Sequence, residues 1–396
     1  MFPQQKSHGH QGNRWHERFL CRFHQVALLV IASCGSSLLT ALYTAQFDHM
    51  NPAALSEDCI SVPRPRSNES IDLSIPPSAL QRTDIAREPI KSNSLQIAWL
   101  MTFPNSGTSY TSHLVKSVSQ TQIASNYASM RASRISNATS SVPVFEDQLS
   151  GPFWGDFFST QPKPTKYVLT KTHCGAPCVY CPPDKYVELW YNFRLRCLSG
   201  DRLVVDDAKE ERWIEKVLYP PFKVSKAVHL FRNPFDNAVA RFRYERKGNR
   251  SATGFESTRA GFRAYCSQLN ERYREEENQA RFLNPGLLHI AKNVPCHAEI
   301  IRYVEWHNMA SITIQDMNLD ALVVHYDWYE TQFNETVDML LDFLQLERKD
   351  EPVPFQAGKT YSDYFTKREQ AAVHVVLQTM ALNNVWTHLK RYFTDQ

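Results

Sequence analysis

The stretch that decides the fold is residues 95–111, which read LQIAWLMTFPNSGTSYT. Its first nine residues form an apolar run that is short enough for a β-strand buried on both faces of a sheet. A glycine-containing turn follows, and then Tyr110, Leu114, Val115 and Val118 recur at near-helical spacing. The stretch therefore predicts a strand, a turn and a helix in succession.

Similar apolar runs recur along the chain. Further strands are predicted at 167–170, 227–231 and 322–326, a helix near Phe235, and an exposed serine-rich loop at 117–141. Strands that alternate with helices indicate a three-layer α/β domain, in which a parallel sheet is covered by helices on both faces. Because ligands of such sheets bind at the carboxyl ends of the strands, the polar residues at three of these four ends become the candidate site.

The turn after the first strand has the chemistry of an anion site. It combines a glycine with three hydroxyl side chains at the start of a helix, where free backbone N–H groups and the helix dipole point at one place. The series GxxxxGK[ST] of nucleoside triphosphatases is absent, and no lysine stands where it would reach a β- or γ-phosphate. The main sequence evidence for a kinase or an ATPase is therefore missing.

In this turn the chain resembles the sulfotransferases that use 3′-phosphoadenylyl sulfate (PAPS), whose 5′-phosphosulfate loop commonly reads PKSGTTW. The chain has PNSGTSY at 104–110. The resemblance implies a P-loop NTPase-like sulfotransferase fold, a loop that binds the 5′-phosphosulfate, and a tyrosine that stacks on the adenine. The donor-binding residues that it assigns here are Asn105, Ser106, Gly107, Thr108, Ser109 and Tyr110.

Residues 168–174, VLTKTHC, resemble the family's LxKTH segment. By that resemblance His173 is the general base that takes the proton of an acceptor hydroxyl, and Lys171 stabilises charge on the transferring group. A neutral imidazole near pH 7 can accept a proton, and a positioned base contributes about 10²–10⁴-fold to the rate. A lone histidine is more often structural, but a lysine beside it at a strand end favours catalysis.

Residues 228–247, VHLFRNPFDNAVARFRYERK, resemble the family segment in which a strand ends in RNPxDxxxS. The resemblance implies that Arg232 binds the 3′-phosphate through its planar guanidinium. Residues 323–328 and the helical stretch 335–344 resemble later family segments, and Gly358 and Lys359 resemble the C-terminal nucleotide-binding loop.

The chain departs from the family pattern at two positions that concern the donor. Asn105 replaces the loop lysine, so a charge-assisted contact worth about 1.5–3 kcal/mol becomes a neutral one worth about 0.5–1.5 kcal/mol. Ala240 stands where the family usually has a serine on the 3′-phosphate, which leaves Arg241 or Asn237 as substitutes.

An uncharged stretch of 20 residues at 26–45, VALLVIASCGSSLLTALYTA, fits a transmembrane helix. Arg14, Arg18 and Arg22 precede it, so the positive-inside rule predicts a cytosolic tail at 1–25 and a type II signal anchor. A cleaved signal peptide is the alternative, but its leader would be shorter. A proline- and serine-rich stem at 46–94 and a sulfotransferase domain at 95–396 follow. The resemblance and the anchor together predict the Golgi membrane, with the domain in the lumen.

Sequons and cysteines beyond the anchor agree with a lumenal domain. Cys174, Cys178 and Cys181 could ligate zinc with a fourth partner, although disulfides are preferred in an oxidising compartment. The sequons are at Asn68, Asn137, Asn249 and Asn334.

The expected reaction moves a sulfuryl group from PAPS to a hydroxyl or amine of a glycan, protein or small metabolite, and releases the 3′,5′-bisphosphate. It requires no metal. A formal net charge of +3 gives no support for nucleic acid as a partner. Two alternatives remain open: a type II glycosyltransferase, although the chain has no DxD triplet, and a binding module that keeps the fold without activity.

Overall fold

The strands and helices follow the predicted alternation. The computed structural model describes residues 94–127, 142–155, 160–175, 186, 190–206, 211–247, 252, 254–279, 283–356 and 361–393. The strands are β1 (Gln96–Thr102), β2 (Ala124–Ser125), β3 (Phe153–Trp154), β4 (Tyr167–Thr172), β5 (Ser199–Asp206), β6 (Glu211–Leu218), β7 (Val224–Phe231) and β8 (Asp320–His325). The helices are α1 (Thr108–Ser119), α2 (Trp190–Cys197), α3 (Pro234–Glu245), α4 (Arg259–Asn278), α5 (Pro285–Ala291), α6 (His297–Asp316), α7 (Trp328–Thr331), α8 (Phe333–Leu344), α9 (Lys367–Met380) and α10 (Asn383–Leu389).

Six strands form the central sheet in the order β3-β2-β4-β1-β7-β8. Five of them are parallel, and β3 pairs antiparallel with β2 at the edge. The sheet is therefore mixed, which corrects the prediction of an all-parallel sheet. Strands of two residues are too short to show a periodic apolar pattern, so the sequence did not indicate the antiparallel edge.

Strand β1 lies at the centre of the domain, and all seven of its residues are buried. Trp99 and its odd-numbered neighbours pack into a core with α3, α4 and α6, whereas Ala98 and Leu100 pack into a second core with α1 and α8. Because successive side chains of a strand point to opposite faces, the continuous apolar run supplies both cores. The sheet is thus covered by helices on both sides, as predicted.

Two further differences from the sequence prediction are local. Helix α1 continues to Ser119, inside the predicted loop 117–141, because Ser119 Oγ donates a hydrogen bond to Val115 O at 2.6 Å and so satisfies its hydroxyl within the helix. Residues 128–141 lie outside the described residues. The hairpin of β5 and β6 was not predicted; it forms a separate two-stranded sheet.

Two disulfides join described cysteines, Cys174 to Cys197 and Cys266 to Cys296. The first one anchors the end of β4 to α2 and excludes Cys174 as a thiolate ligand of zinc. Among the described residues no group of side chains could hold a metal ion. Cys178 and Cys181 lie outside the described part of the chain.

The predicted anchor at 26–45, the tail before it and almost all of the stem lie outside the described residues. Among the helices of the described part, none is both long and apolar enough to cross a bilayer.

Candidate functional site

The predicted anion-binding turn joins β1 to α1. Asn105 and Gly107 both adopt left-handed backbone conformations, with φ of 65° and 108°. Gly107 is the N-cap of α1, and a Cβ at this position would overlap the ring of Tyr326, so the turn needs a glycine here. The cap has no side chain to accept from the helix, which leaves the first N–H groups of α1 for a ligand.

Two side chains from the segment that runs from β7 into α3, Asn237 and Arg232, donate hydrogen bonds to this turn. Asn237 Nδ2 donates to Pro104 O and to Ser106 Oγ, both at 3.0 Å. Arg232 Nη1 donates to Asn105 O at 2.6 Å. These contacts bring the predicted phosphosulfate loop and the predicted 3′-phosphate arginine into direct contact across 127 residues of sequence.

Arg241 is also directed at the turn, where its Nη1 donates to Asn105 Oδ1 at 3.2 Å. It is buried, and its charge is offset by Glu299, which accepts from Nε at 2.9 Å, and by Glu245 at 3.4 Å. Arg241 and Asn237, the two predicted substitutes for the family serine, thus both have partners in the turn. The side chain of Asn105, in place of a lysine, is fixed by a guanidinium.

Arg232 differs from Arg241 because no carboxylate of the described residues forms an ion pair with it. Its guanidinium lies 4.7 Å from the centre of the Tyr326 ring, and its Nε is buried without a hydrogen-bond partner among the described residues. The backbone carbonyl of Arg232 accepts from Tyr303 Oη at 2.5 Å, which fixes the segment that carries the arginine. Arg232 is therefore an oriented cation with unused donor capacity.

His173 follows β4 at the same edge of the sheet, next to the end of β1. Its Nδ1 lies 2.8 Å from Thr102 O and 3.0 Å from Thr102 Oγ1. A carbonyl oxygen can only accept, so Nδ1 carries the hydrogen and Nε2 has the free lone pair. The backbone of His173 is held by Tyr127, whose hydroxyl accepts from His173 N at 2.8 Å, and by Trp306, whose Nε1 donates to His173 O at 2.9 Å.

Burial lowers the pKa of His173 to about 3, and the charge of Lys171 lowers it further in the same direction. The ring is therefore neutral at pH 7, which lets it accept a proton, and the low pKa also makes it a weaker base than a free imidazole. Burial also lowers the pKa of Lys171. Lys171 points to the α1 side of the sheet, as its neighbour Leu169 does, and none of the described carboxylates pairs with it. The site thus holds a second cation without an anionic partner.

A cavity of about 620 Å³ lies beside the turn and is lined by both Tyr110 and Arg232. Tyr110 is in edge-to-face contact with Tyr326, Tyr329 and Phe355, at centroid distances of 5.0–6.5 Å. Burial raises the pKa of Tyr110 to about 12. The lining of the cavity thus combines aromatic side chains with charged ones, and Arg232 lies against the aromatic ring of Tyr326.

The charged side chains that line the cavity are two arginines, Arg232 and Arg391, and three carboxylates, Asp236, Asp327 and Glu330. Arg391 Nη2 donates to Asp327 Oδ2 at 2.8 Å, so these two charges offset each other. Burial raises the pKa of Asp236, and the backbone hydrogen bond from Tyr361 and the charge of Arg232 act in the opposite direction. Within the described residues, Arg232 is then the cation, and Asp236 and Glu330 are the anions, that form no ion pair at this cavity.

The predicted loop residues Gly358 and Lys359 lie outside the described residues. The residues on either side of them are described, and both are close to the cavity: Gln356 lines it, and Tyr361 N donates to Asp236 Oδ1 at 2.9 Å.

Sequence reasoning missed several residues of the site, above all Thr102 and Tyr127, which contact His173, and Arg391, which lines the cavity with Tyr110 and Arg232. Thr102 is the last residue of β1 and is polar within an apolar run, which was a usable indication. Tyr127 and Arg391 have no such pattern, because they reach the site only through the folding of distant segments.

Neither a scan against protein-family models nor a search of curated proteins found a match to this chain.

Proposed function

We propose that the protein transfers a sulfuryl group from PAPS to a hydroxyl or amine acceptor. The observation that carries this proposal is that Arg232 contacts the turn at 104–107 and lines one cavity with Tyr110, within reach of a single nucleotide. A donor with a phosphate at each end of its ribose would need cations at two places. Arg232 beside the turn and Lys171, two residues before His173, are two cations that form no ion pair with a described carboxylate.

In the proposed reaction, His173 Nε2 accepts the proton of the acceptor while the acceptor atom forms a bond to sulfur. The bond between sulfur and the bridging oxygen of the 5′-phosphate breaks, and its electron pair leaves with the 3′,5′-bisphosphate. Lys171 and the N–H groups at the start of α1 stabilise the negative charge that grows on the leaving phosphate. The N–H groups need no reorganisation, because the helix already fixes their direction.

The full-length protein in detergent provides the direct test, with ³⁵S-labelled PAPS and separate panels of glycan, protein and small hydroxylated acceptors. We expect label on one acceptor class and none from labelled nucleotide sugars. Transfer from a nucleotide sugar instead would favour the glycosyltransferase. Binding of the 3′,5′-bisphosphate without transfer to any acceptor would favour a non-catalytic module.

A matched pair of lysines tests the charge argument independently of the acceptor. Lys171→Met removes an unpaired cation, whereas Lys226→Met removes a lysine of the neighbouring sheet region that pairs with Asp320 at 2.7 Å. We expect Lys171→Met to weaken bisphosphate binding by about 1.5–3 kcal/mol, or about 10–150-fold, measured by calorimetry. Lys226→Met should leave it unchanged, and equal effects of the two changes would contradict the proposal.

The proposal includes a type II orientation in the Golgi membrane, with the domain in the lumen. Asn334 offers a test within the described residues, since its side chain is exposed at the start of α8 and belongs to the sequon Asn334-Glu335-Thr336. A glycosidase-sensitive mass on the peptide that contains Asn334 is expected. Its absence in Asn334→Gln is the control, and an unmodified peptide from every sequon would argue against the lumen.

A further inference from the structure

Three side chains form a continuous hydrogen-bonded chain from the candidate base to the candidate anion site. His173 Nδ1 lies 3.0 Å from Thr102 Oγ1, which in turn lies 2.5 Å from Thr108 Oγ1. Thr102 is fully buried and Thr108 is nearly so. Thr108 is the first residue of α1, next to the N–H groups that the turn presents.

The direction of this chain follows from its first member. The one hydrogen on His173 Nδ1 is shared between Thr102 O at 2.8 Å and Thr102 Oγ1 at 3.0 Å, so Thr102 Oγ1 accepts there and its own hydrogen can point to Thr108 Oγ1. Thr108 then accepts from Thr102, and its hydroxyl hydrogen is left to point away from the chain. The donor end of the chain is therefore at the turn where a bound anion would lie.

Thr102 does not need this hydroxyl for the strand. Thr170 is equally buried in the adjacent strand β4, and its Oγ1 donates to the carbonyl of Val168 in its own strand at 3.2 Å. Valine fits a buried strand as well as threonine does, so the sheet itself does not require a polar group at position 102. The hydroxyl of Thr102 instead connects His173, which follows β4, with Thr108 at the start of α1.

We propose that Thr102 is a positioning residue that couples His173 to Thr108, so that a proton gained at Nε2 strengthens the hydrogen bond that Thr108 donates to the bound nucleotide. The catalytic part of this inference rests on the proposed function. No proton moves along the chain: the proton from the acceptor stays on Nε2, and the imidazolium polarises both hydroxyls. A hydrogen bond with an ionised donor is roughly twice as strong as a neutral one, so the effect is largest while the 5′-phosphate is leaving.

The test compares Thr102→Val, which removes the hydroxyl, with Thr102→Ser, which keeps it, and with Thr170→Val as a matched control in β4. We expect Thr102→Val to lower kcat about tenfold while the KM for PAPS changes less than about twofold, from the loss of one hydrogen bond in the transition state. Thr102→Ser should restore most of the rate, and Thr170→Val should retain it. Equal kcat in Thr102→Val and the wild type would overturn the proposal.

A second readout does not depend on turnover. In ¹⁵N-labelled protein at pH 7, binding of the 3′,5′-bisphosphate should shift the Nδ1 resonance of His173, and this shift should be smaller in Thr102→Val than in Thr102→Ser or Thr170→Val. If the wild type transfers no sulfuryl group but this difference is present, the coupling stands and the proposed function fails. If the shift is the same in all variants, the coupling fails whatever the reaction is. Should Thr102→Val not fold, Thr102→Ala against Thr102→Ser gives the same comparison.

Discussion

The carboxyl edge of the sheet and the helical layer beside it differ in how their cations are paired. At the edge, neither Lys171 nor Arg232 has a carboxylate within ion-pair distance among the described residues. In the layer, Arg241 is paired with Glu299 at 2.9 Å, and His297 contacts Glu277 at 2.8 Å. A partly buried charge costs free energy unless it is paired, so an unpaired one is retained only where something else compensates it.

This difference separates two roles that look alike in the sequence. Arg232 and Arg241 both contact Asn105, and both follow the same strand. The charge of Arg241 is already neutralised, so it stabilises the turn, whereas the charge of Arg232 is available for an anion. We infer that pairing, rather than proximity to the turn, identifies the residues that face a ligand.

The largest expected effect concerns the edge. His173→Ala should lower kcat by about 10²–10⁴-fold, because the acceptor proton loses its base, while the dissociation constant of the 3′,5′-bisphosphate should stay within about twofold. Steady-state kinetics with labelled PAPS measure kcat, and calorimetry measures the dissociation constant of the bisphosphate. If turnover were retained, His173 would have no role in proton transfer.

The next effect concerns the layer and is on stability. Arg241→Met leaves the buried Glu299 without its main cation, which typically costs about 3–5 kcal/mol of unfolding free energy. Arg302 still reaches Glu299 at 3.4 Å, so we expect the lower end of this range. Urea denaturation measures the change.

Two further variants control that measurement. Adding Glu299→Gln to Arg241→Met should recover part of the lost stability, since it removes an unpaired charge. Arg232→Met should cost less than half as much as Arg241→Met, because no ion pair is broken. Equal losses from the two arginine changes would remove the distinction between the edge and the layer.

A third effect returns to the edge and concerns binding. Arg232→Met should weaken binding of the 3′,5′-bisphosphate by about 1.5–3 kcal/mol, or about 10–150-fold, and should weaken binding of adenosine 5′-phosphate much less. Arg391→Met is the matched control, because Arg391 lines the same cavity but is paired with Asp327. Similar losses for both nucleotides would mean that Arg232 does not bind the 3′-phosphate.

The smallest effect, taken per residue, concerns histidines in the interior, which the fold keeps neutral. Burial lowers the pKa of His229 and of His325 to about 3, and holds that of His307 well below its usual value. The unfolded chain therefore binds protons between about pH 6.5 and pH 3 that the folded chain does not, so stability falls as the pH falls through this window. Each such histidine contributes up to about 1.4 kcal/mol per pH unit.

Urea denaturation at pH 7.5, 6.5 and 5.5 measures this dependence. His229 Nε2 and His307 Nδ1 are 2.9 Å apart, so a single hydrogen between them satisfies both nitrogens. If both rings were protonated, two N–H groups would face each other. We expect His307→Asn to give a shallower dependence on pH than the wild type. An unfolding free energy that does not change over this range would contradict neutral burial.

Much of the fold could be predicted because its patterns are local. The strands at 96–102 and 167–172, the helix after the turn and its glycine each depend on residues that are neighbours in sequence. Strands β2 and β3 could not be predicted, since a two-residue strand is defined only by its partner. The β5–β6 hairpin pairs with itself, outside the alternation of strands and helices that guided the prediction.

The candidate site divides in the same way. The turn, His173 and Arg232 could be singled out because each follows a predicted strand, and parallel strands end at one edge. The pairing of Arg241 and the contacts of Thr102 could not, since their partners lie 58 and 71 residues away.

By itself, therefore, the sequence determined a strand, a glycine turn and a helix, and the kinds of chemical group near the carboxyl edge of a sheet. Only the tertiary structure decided which of those groups keep an unused charge, which nitrogen of His173 is free, and that Arg232 and Tyr110 line the same cavity. The physical reason is one of range: backbone conformation and apolar periodicity arise from near neighbours, whereas desolvation and ion pairing depend on every segment packed around a group.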